Sequence, residues 1–470
     1  MQKFKSDIIV GMEVHAELST ESKLFCGCPT HGNDEPNSRT CEVCLGFPGS
    51  KPVLNKKAVE YALKLCLALN CQISPELIFS RKSYFYPDMA KNYQISQYEI
   101  PLGVKGKLTL ESGKEIGIAR VHMEEDPAAL IHPSGMMKSP YVLVDYNRSG
   151  DPLAEVVTEP ELISPEEARD FMKKLISILQ YLEIFDINRC IIKADANVSI
   201  KQSNYTRVEI KNITGFKEIE RALKYEVERQ KKAAEDNIKI VHETRAWDSE
   251  KGITREMRKK EVEEEYGYII DPDLARIEIT GKWLGKIKEE IPELAHEKIT
   301  KFIKKYGIPE IDAKVLAADK SLAELFERVS LKTDPLLAAK WIRRELVRVL
   351  NYQKKELKEV NEEYLIELLK MLENKKITDR IGQKIIEEIA EKNISPKEYI
   401  QKQGIKVIES QEEIEKICQE VIKANPKPVE DYKAGNTKAL QFLIGQVMRA
   451  TKGQAKPDAV NKIFKKLIKV

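Results

Sequence analysis

The chain has 470 residues, 42% of them hydrophobic and 33% charged, with a formal net charge of +3. That length leaves room for two to four domains, each with its own core. The opening MQKFKSDIIVGMEVH holds no apolar run long enough for a signal peptide or a membrane span, so no membrane role is expected.

Taken in chain order, Asp7 to Leu18 alternates apolar and polar residues and predicts a half-buried strand carrying Glu13 and His15 on one face. Four cysteines follow, Cys26, Cys28, Cys41 and Cys44, as a CxC and a CxxC pair twelve residues apart. Two short chelating turns at that separation are the layout of a structural zinc knuckle, closed by four thiolates with no open position for chemistry. The intervening loop is rich in turn formers, His31-Gly32-Asn33-Asp34 and Pro36-Asn37 among them. Cys66, Cys71, Cys190 and Cys418 are scattered. Thiols kept for a metal, without a disulfide framework, point to a reducing, cytoplasmic setting.

Asn55 is placed to cap a helix over NKKAVEYALKLCLALN. An aromatic and basic cluster comes next: Arg81, Lys82, Tyr84, Phe85, Tyr86, Asp88, Lys91 and Tyr93. Aromatics interleaved with cations can stack a base and hold phosphates, and Arg120 and the Tyr146-Asn147-Arg148 turn add cations of the same use. Strands are expected at Lys107–Leu110, Glu115–Glu125, Tyr141–Tyr146, Ala196–Ile200 and Thr206–Lys211. Helices are expected at Ser164–Leu182, where Ser-Pro-Glu-Glu is a start signal, and from Gly215 to about Glu235. Grouped strands without a βαβ rhythm argue for an α+β domain over residues 1–292, a cradle built on a large, mostly antiparallel sheet with flanking helices. Residues 293–405 read as consecutive helices, with turns at Gly307-Ile308-Pro309 and Lys332-Thr333-Asp334-Pro335. Residues 406–470 form a small helical tail, broken at Asn425-Pro426, Gly435-Asn436 and Lys452-Gly453. From Val421 to Val470 eleven Lys or Arg stand against three Asp or Glu, 11 − 3 = +8, a plausible nucleic-acid surface.

Several strands put metal-friendly residues two apart, and hence on one face. They are Glu13 and His15, His122 and Glu124 (with Glu125 and Asp126 beyond), Asp195 and Asn197, and Glu209 and Lys211. Carboxylates meeting on one face repel and raise each other's pKa unless cations lie between them. Oxygen ligands with an imidazole suit Mg²⁺, which ordinarily accompanies substrate phosphates. The sequence holds no GxxxxGK[ST] loop and no GxGxxG after a strand. GxSxG and Ser-Ser-Lys signatures are also missing, so an ammonia-releasing step belongs to another chain.

Long, ordered motifs run nearly end to end: GMEVHAEL, CEVCLGFPGSKPVLN, RKSYFYPDMAKNYQISQYEIP, RVHMEEDPA, VDYNRSGDPLAEVVTEP, KADANVSI, VEIKN, ETRAWD, IIDPDL and KAGNTKALQFLIGQVMRATKGQAKPDAVN. Together they resemble the B subunit of the aspartyl/glutamyl-tRNA(Asn/Gln) amidotransferase. The resemblance implies a heterotrimer with an amidase partner, the A subunit, plus a small C subunit. Its substrate would be mischarged Glu-tRNA(Gln) or Asp-tRNA(Asn). The side-chain carboxylate of that aminoacyl-tRNA would be phosphorylated from ATP, and ammonia from the amidase would displace the phosphate. Carried over residue by residue, Glu13, His15, Glu124, Glu125, Asp195 and Glu209 are the expected catalytic and magnesium set. Since strand alternation sends Glu124 and Glu125 to opposite faces, a bulge is required there or only one is a ligand. Lys82, Tyr84 and Tyr86 are expected at the acyl-tRNA end or nucleotide, with Arg120, Arg148 and Lys211 also binding substrate, and the tail holding the tRNA body. The chain departs from the family where Pro127-Ala128-Ala129 replaces small-Gly-Lys after HMEED, and where Glu265 to Ile270 replaces an arginine-containing run before DPDL. A second reading from the residues alone is a non-catalytic, zinc-stabilised RNA-binding protein.

Overall fold

The structure is a computed structural model and describes residues 6–135, 139–259, 266–404, 411–451, 455 and 457–468. Glu265, the Lys452-Gly453 turn and the 405/406 boundary expected above lie outside the described residues. The chain divides into two compact units, Met1–Leu294 and Ala295–Val470.

In the first unit the strands are β1 Ile8–Glu17, β2 Gln72–Ile73, β3 Glu76–Leu77, β4 Ser80–Ser83, β5 Tyr93–Ser96, β6 Gly103–Thr109, β7 Glu115–Glu125 and β8 Ala129–Ile131. They continue with β9 Leu143–Asp145, β10 Pro152–Thr158, β11 Ile192–Ile200, β12 Val208–Thr214, β13 Glu243–Asp248, β14 Ile253–Lys259, β15 Gly267–Ile270 and β16 Ile277–Glu278. The helices are α1 Lys56–Ala68, α2 Pro165–Tyr181, α3 Phe216–Glu235 and α4 Gly281–Glu289. Nine strands form one sheet in the order β14-β13-β12-β11-β1-β10-β7-β6-β2. Every neighbouring pair is antiparallel except β12 with β13, which run parallel. The expected α+β class and mostly antiparallel sheet are what the chain builds.

Period two separates the sheet's faces. On β1, Val10, Met12, Val14 and Ala16 are buried, joined by Val121 and Met123 of β7, Ala154 and Val156 of β10 and Ala196 and Val198 of β11. This apolar face is the core. Helix α3 covers part of it, with Ala233 packed on Val208 of β12, and α1 sets Cys66 against Gly103 of β6. Asn55 caps α1 as expected, its side chain accepting from the amides of Lys57 and Ala58. Ser164 caps α2 by accepting from Glu167, with Pro165 in the first turn. The opposite face carries the alternate residues, where Glu13, His15, His122, Glu124, Glu155, Asp195 and Asn197 stand with a few apolar side chains such as Leu153 and Val157.

The second unit is helical, from Ala295–Tyr306 to Pro457–Ile468. It holds one apolar cluster between Phe302 and Tyr399, centred on Trp341, Leu368 and Ile385, and another between Cys418 and Ile468, centred on Leu443 and Phe464. No described helix is long and apolar enough to cross a membrane.

Candidate active site

The polar face of the sheet gathers the residues that carry charge. Antiparallel register sets His15 opposite Glu155 of β10 on one side and Lys193 of β11 on the other, and sets Glu13 opposite Asp195. Further across, Glu155 pairs with His122 and Leu153 with Glu124, while Asn197 pairs with Glu209. Directly paired residues point the same way, so these side chains line one surface.

Their contacts are close. His15 Nε2 lies 3.3 Å from Glu155 Oε2 and 3.5 Å from Glu124 Oε1. His122 Nε2 reaches the same Glu155 oxygen at 3.1 Å. One ligand atom each from His15, Glu124 and Glu155 falls within 4.8 Å of the others, a spacing suited to a metal ion. Asn197 Nδ2 donates to Glu13 Oε1 at 3.3 Å. A bulge between Ala194 and Ala196 lets β12 present Asn212 in the left-handed region (φ 64°), and its amide donates to Asp195 Oδ1 at 3.2 Å. Lys211 then places Nζ 3.1 Å from Asp195 Oδ2 and 3.4 Å from Glu209 Oε1.

Crowding shows in the electrostatics. The Glu13 carboxyl is pushed up by burial and by the charges of Glu155, Asp195 and Glu209, against Lys211. Burial opposes a charge on His15, but its hydrogen bond to Glu155 and the charges of Glu155, Glu124 and Asp195 outweigh it and push the imidazole up to about 10. Lys211 is also held charged, burial being overcome by Asp195, Glu209 and Glu13. The strip is a concentration of negative potential that attracts cations.

The structure does not bring the whole expected set together. Glu125 follows Glu124 on β7 and faces away from His15. Its carboxylate is taken by Lys91 Nζ at 2.5 Å and 2.7 Å and by the Ile95 amide at 2.8 Å. No bulge interrupts the pairing of Glu124 and Glu125 with β10, so alternation separates them. Arg148 turns onto the segment that follows β7, donating to the carbonyls of Pro127 and Ala128 at 2.9 Å and 2.8 Å and pairing with Asp126 at 3.2 Å. Arg120 remains at the rim, half-exposed, 4.0 Å from Glu155 Oε1. Lys82 lies on β4 with Nζ 4.9 Å above the Tyr266 ring. Tyr84 meets that ring edge-on at 5.8 Å, and its hydroxyl is pushed up by burial and by Asp88 and Glu124, which puts it within electrostatic reach of the acidic strip. Tyr86 is exposed.

Three participants escaped the sequence reading. Glu155 sits inside the apolar run of β10, and one charged residue in PLAEVV was the available signal. Lys193 faces His15 in register, and burial pushes its amine down. His122 stood in a recognised polar pair but had no assigned role.

Beside the sheet, the sulfurs of Cys26, Cys28, Cys41 and Cys44 also lie within 4.8 Å of one another and can hold a metal ion. The Cys41 amide points at Cys44 Sγ from 3.1 Å. A hydrogen bond from Cys26 pulls the Cys44 thiol down to about 5, with Lys23 adding to the effect, while burial and its neighbours push Cys28 up to about 12. Four packed thiols that cannot all ionise are relieved by a divalent cation. The fully buried Lys23 ties this loop to the sheet, Nζ donating to the carbonyls of Arg39 (2.8 Å) and Tyr146 (3.2 Å).

Comparison with known proteins agrees with this architecture. Residues 8–285 match the family model described as the GatB/GatE catalytic domain, and residues 324–468 match one described as the GatB domain. The chain belongs to the family of B subunits of tRNA-dependent amidotransferases. It is 44% identical to the B subunit of the aspartyl/glutamyl-tRNA(Asn/Gln) amidotransferase from Thermoanaerobacter sp. (strain X514), over 98% of this chain and 99% of that protein. The protein of the same name from Carboxydothermus hydrogenoformans is 42% identical over 98% of each chain. A match to a catalytic-domain family runs against the non-catalytic RNA-binding reading.

Proposed function

We propose that this chain carries the ATP-dependent step of a tRNA-dependent amidotransferase, activating the side-chain carboxylate of Glu-tRNA(Gln) or Asp-tRNA(Asn) for amidation. The observation that carries this reading is the convergence of His15, Glu124 and Glu155 on one face of the sheet, within a strip continued by Glu13, Asp195 and Glu209. These residues fit Mg²⁺, since the donors are carboxylate oxygens and an imidazole, and their mutual repulsion is what a divalent ion relieves. His15, Glu124 and Glu155 would hold such an ion, which would supply positive charge to the phosphoryl oxygens of ATP.

The remaining work falls to the chain's own side chains. His15, Glu124 and Glu155 hold one end of the strip, and Glu13, Asp195 and Glu209 hold the other. Lys211 and Arg120 offer positive charge to phosphate oxygens. Lys82, Tyr84 and Tyr86 face the acyl-tRNA end or the nucleotide base. Glu125, paired with Lys91, braces the neighbouring β5 segment. The rigid sheet contributes chiefly by positioning, because phosphoryl transfer asks little covalent chemistry of a protein. Cys26, Cys28, Cys41 and Cys44 would hold a structural zinc. Ammonia comes from the amidase partner, the A subunit, in a heterotrimer completed by the small C subunit. The helical region 293–405 and the basic tail 406–470 bind the tRNA body by shape and backbone charge, in a cytoplasmic complex.

The test uses the assembled complex with radiolabelled Glu-tRNA(Gln), ATP, Mg²⁺ and an ammonium salt. Glu13→Gln and His15→Ala are expected to abolish ATP-driven Gln-tRNA formation while tRNA binding persists. Unchanged amidation in both variants defeats the assignment.

A further inference from the structure

The parallel pairing of β12 with β13 sets Thr244 directly beside Glu209. Thr244 Oγ1 donates to Glu209 Oε2 at 2.9 Å, and the two residues are only 2% and 7% exposed. The other Glu209 oxygen faces Lys211. The hydroxyl therefore sets the rotation of the carboxylate.

The strand that carries Thr244 is itself anchored from the opposite face. Glu243 and Arg245 turn toward α3 and join Glu226 and Arg229 in a set of two buried acids and two partly buried arginines. Arg229 Nη2 is 2.6 Å from Glu226 Oε1 and 2.9 Å from Glu243 Oε1. Arg245 donates to Glu243 Oε2 at 3.1 Å and to Thr254 Oγ1 at 2.9 Å, and Thr254 donates to Glu226 Oε2 at 2.8 Å. Two acids face two guanidinium groups, and all four carboxylate oxygens have donors. With every carboxylate oxygen satisfied, turning any one of these side chains would break hydrogen bonds to the buried acids. Glu243 and Arg245 flank Thr244 on β13, so the set is joined to the polar face through that strand.

We infer that Thr244 is a positioning residue for Glu209, held in place by the Glu226–Arg229–Glu243–Arg245 set, and that it tunes the affinity of the acidic strip for divalent cations. The inference rests on the reading of Glu209 as part of the magnesium and phosphate site. Hydroxyl and carboxylate partners of metal ligands typically contribute about ten- to hundredfold to metal affinity.

Manganese serves as the probe. Its binding to the full chain is followed by electron paramagnetic resonance, beside the Mg²⁺ dependence of amidation by the assembled complex. Thr244→Val keeps the shape and deletes the donor, whereas Thr244→Ser keeps the donor. Thr244→Val is expected to weaken Mn²⁺ binding about tenfold and raise the Mg²⁺ requirement in parallel, with Thr244→Ser restoring both. If the valine variant fails to fold, Thr244→Ala makes the same comparison. Wild-type Mn²⁺ binding in Thr244→Val, with binding lost in Glu209→Gln, overturns the inference alone. Wild-type binding in Glu209→Gln removes the reading of Glu209, and the inference with it.

Discussion

Lys91 places Nζ 2.5 Å and 2.7 Å from the two oxygens of Glu125, closing a nearly buried ion pair at the end of β7. The Ile95 amide adds a donor at 2.8 Å, so the carboxylate is satisfied only while β5 stays docked. A buried charge stripped of its partner is costly, whereas removing both charges is often nearly neutral. Lys91→Met should therefore lower unfolding stability by about 3 to 5 kcal/mol, read from the denaturation midpoint. The double variant Lys91→Met/Glu125→Gln should recover most of it. A single variant as stable as wild type would show that hydration or protonation, not Lys91, relieves the Glu125 charge.

Glu155 bridges two imidazoles through one oxygen, 3.3 Å from His15 Nε2 and 3.1 Å from His122 Nε2. Glu155→Gln keeps the size but removes the charge that orients both rings. Mn²⁺ affinity of the full chain is expected to fall about ten- to hundredfold, with the fold intact by circular dichroism. Undiminished Mn²⁺ affinity would exclude Glu155 from the metal set.

For the cysteine site, metal analysis of the purified chain should return one zinc per molecule. Removing it with a chelator, or with Cys41→Ser and Cys44→Ser, should lower the melting temperature. The loss should travel along Lys23, whose ammonium joins the loop to Tyr146. Hydrogen exchange is the readout, with faster exchange expected both around Cys26 to Cys44 and around Tyr146 to Asp151. Acceleration confined to the loop would show that Lys23 does not transmit the strain.

Asp151 gives the pH dependence a definite sign. Burial pushes its carboxyl up to about 8, with Glu17 and Asp126 adding to the effect and Lys23 and Arg39 opposing it. Its Oδ1 has no hydrogen-bond partner among the described residues. An unfolded aspartate titrates near 3.9, so folding favours the protonated form. The associated stability is fully present below about pH 4 and is lost as pH rises toward about 8. Asp151→Asn, which stays neutral, should match wild type near pH 4 and exceed it increasingly up to pH 8 in melting temperature. A constant offset across that range would assign the effect to packing.

Local signals in the chain were enough for much of this. The alternation of Asp7 to Leu18, the Asn55 and Ser164 caps and the cysteine spacing all act over a few residues, and each appears as expected. The Glu124–Glu125 ambiguity was also visible in advance, because a strand cannot aim two consecutive side chains at one site. Which of the two joined His15 was not visible. That depended on the partner strand: β10 sets Leu153 beside Glu124 and Glu155 beside His122, and it leaves Glu125 to Lys91.

The sequence by itself determined the two-face character of each strand, the metal-ready cysteines and the helical second unit, since periodicity, capping and chelate spacing are short-range properties. Only the tertiary structure decided that Glu155 and His122 stand with His15, that Arg148 braces a turn, and that Thr244 touches Glu209. Those neighbours come from strand order and register across a nine-stranded sheet, which are settled by long-range burial of the apolar face and leave no mark in the local pattern of any one strand.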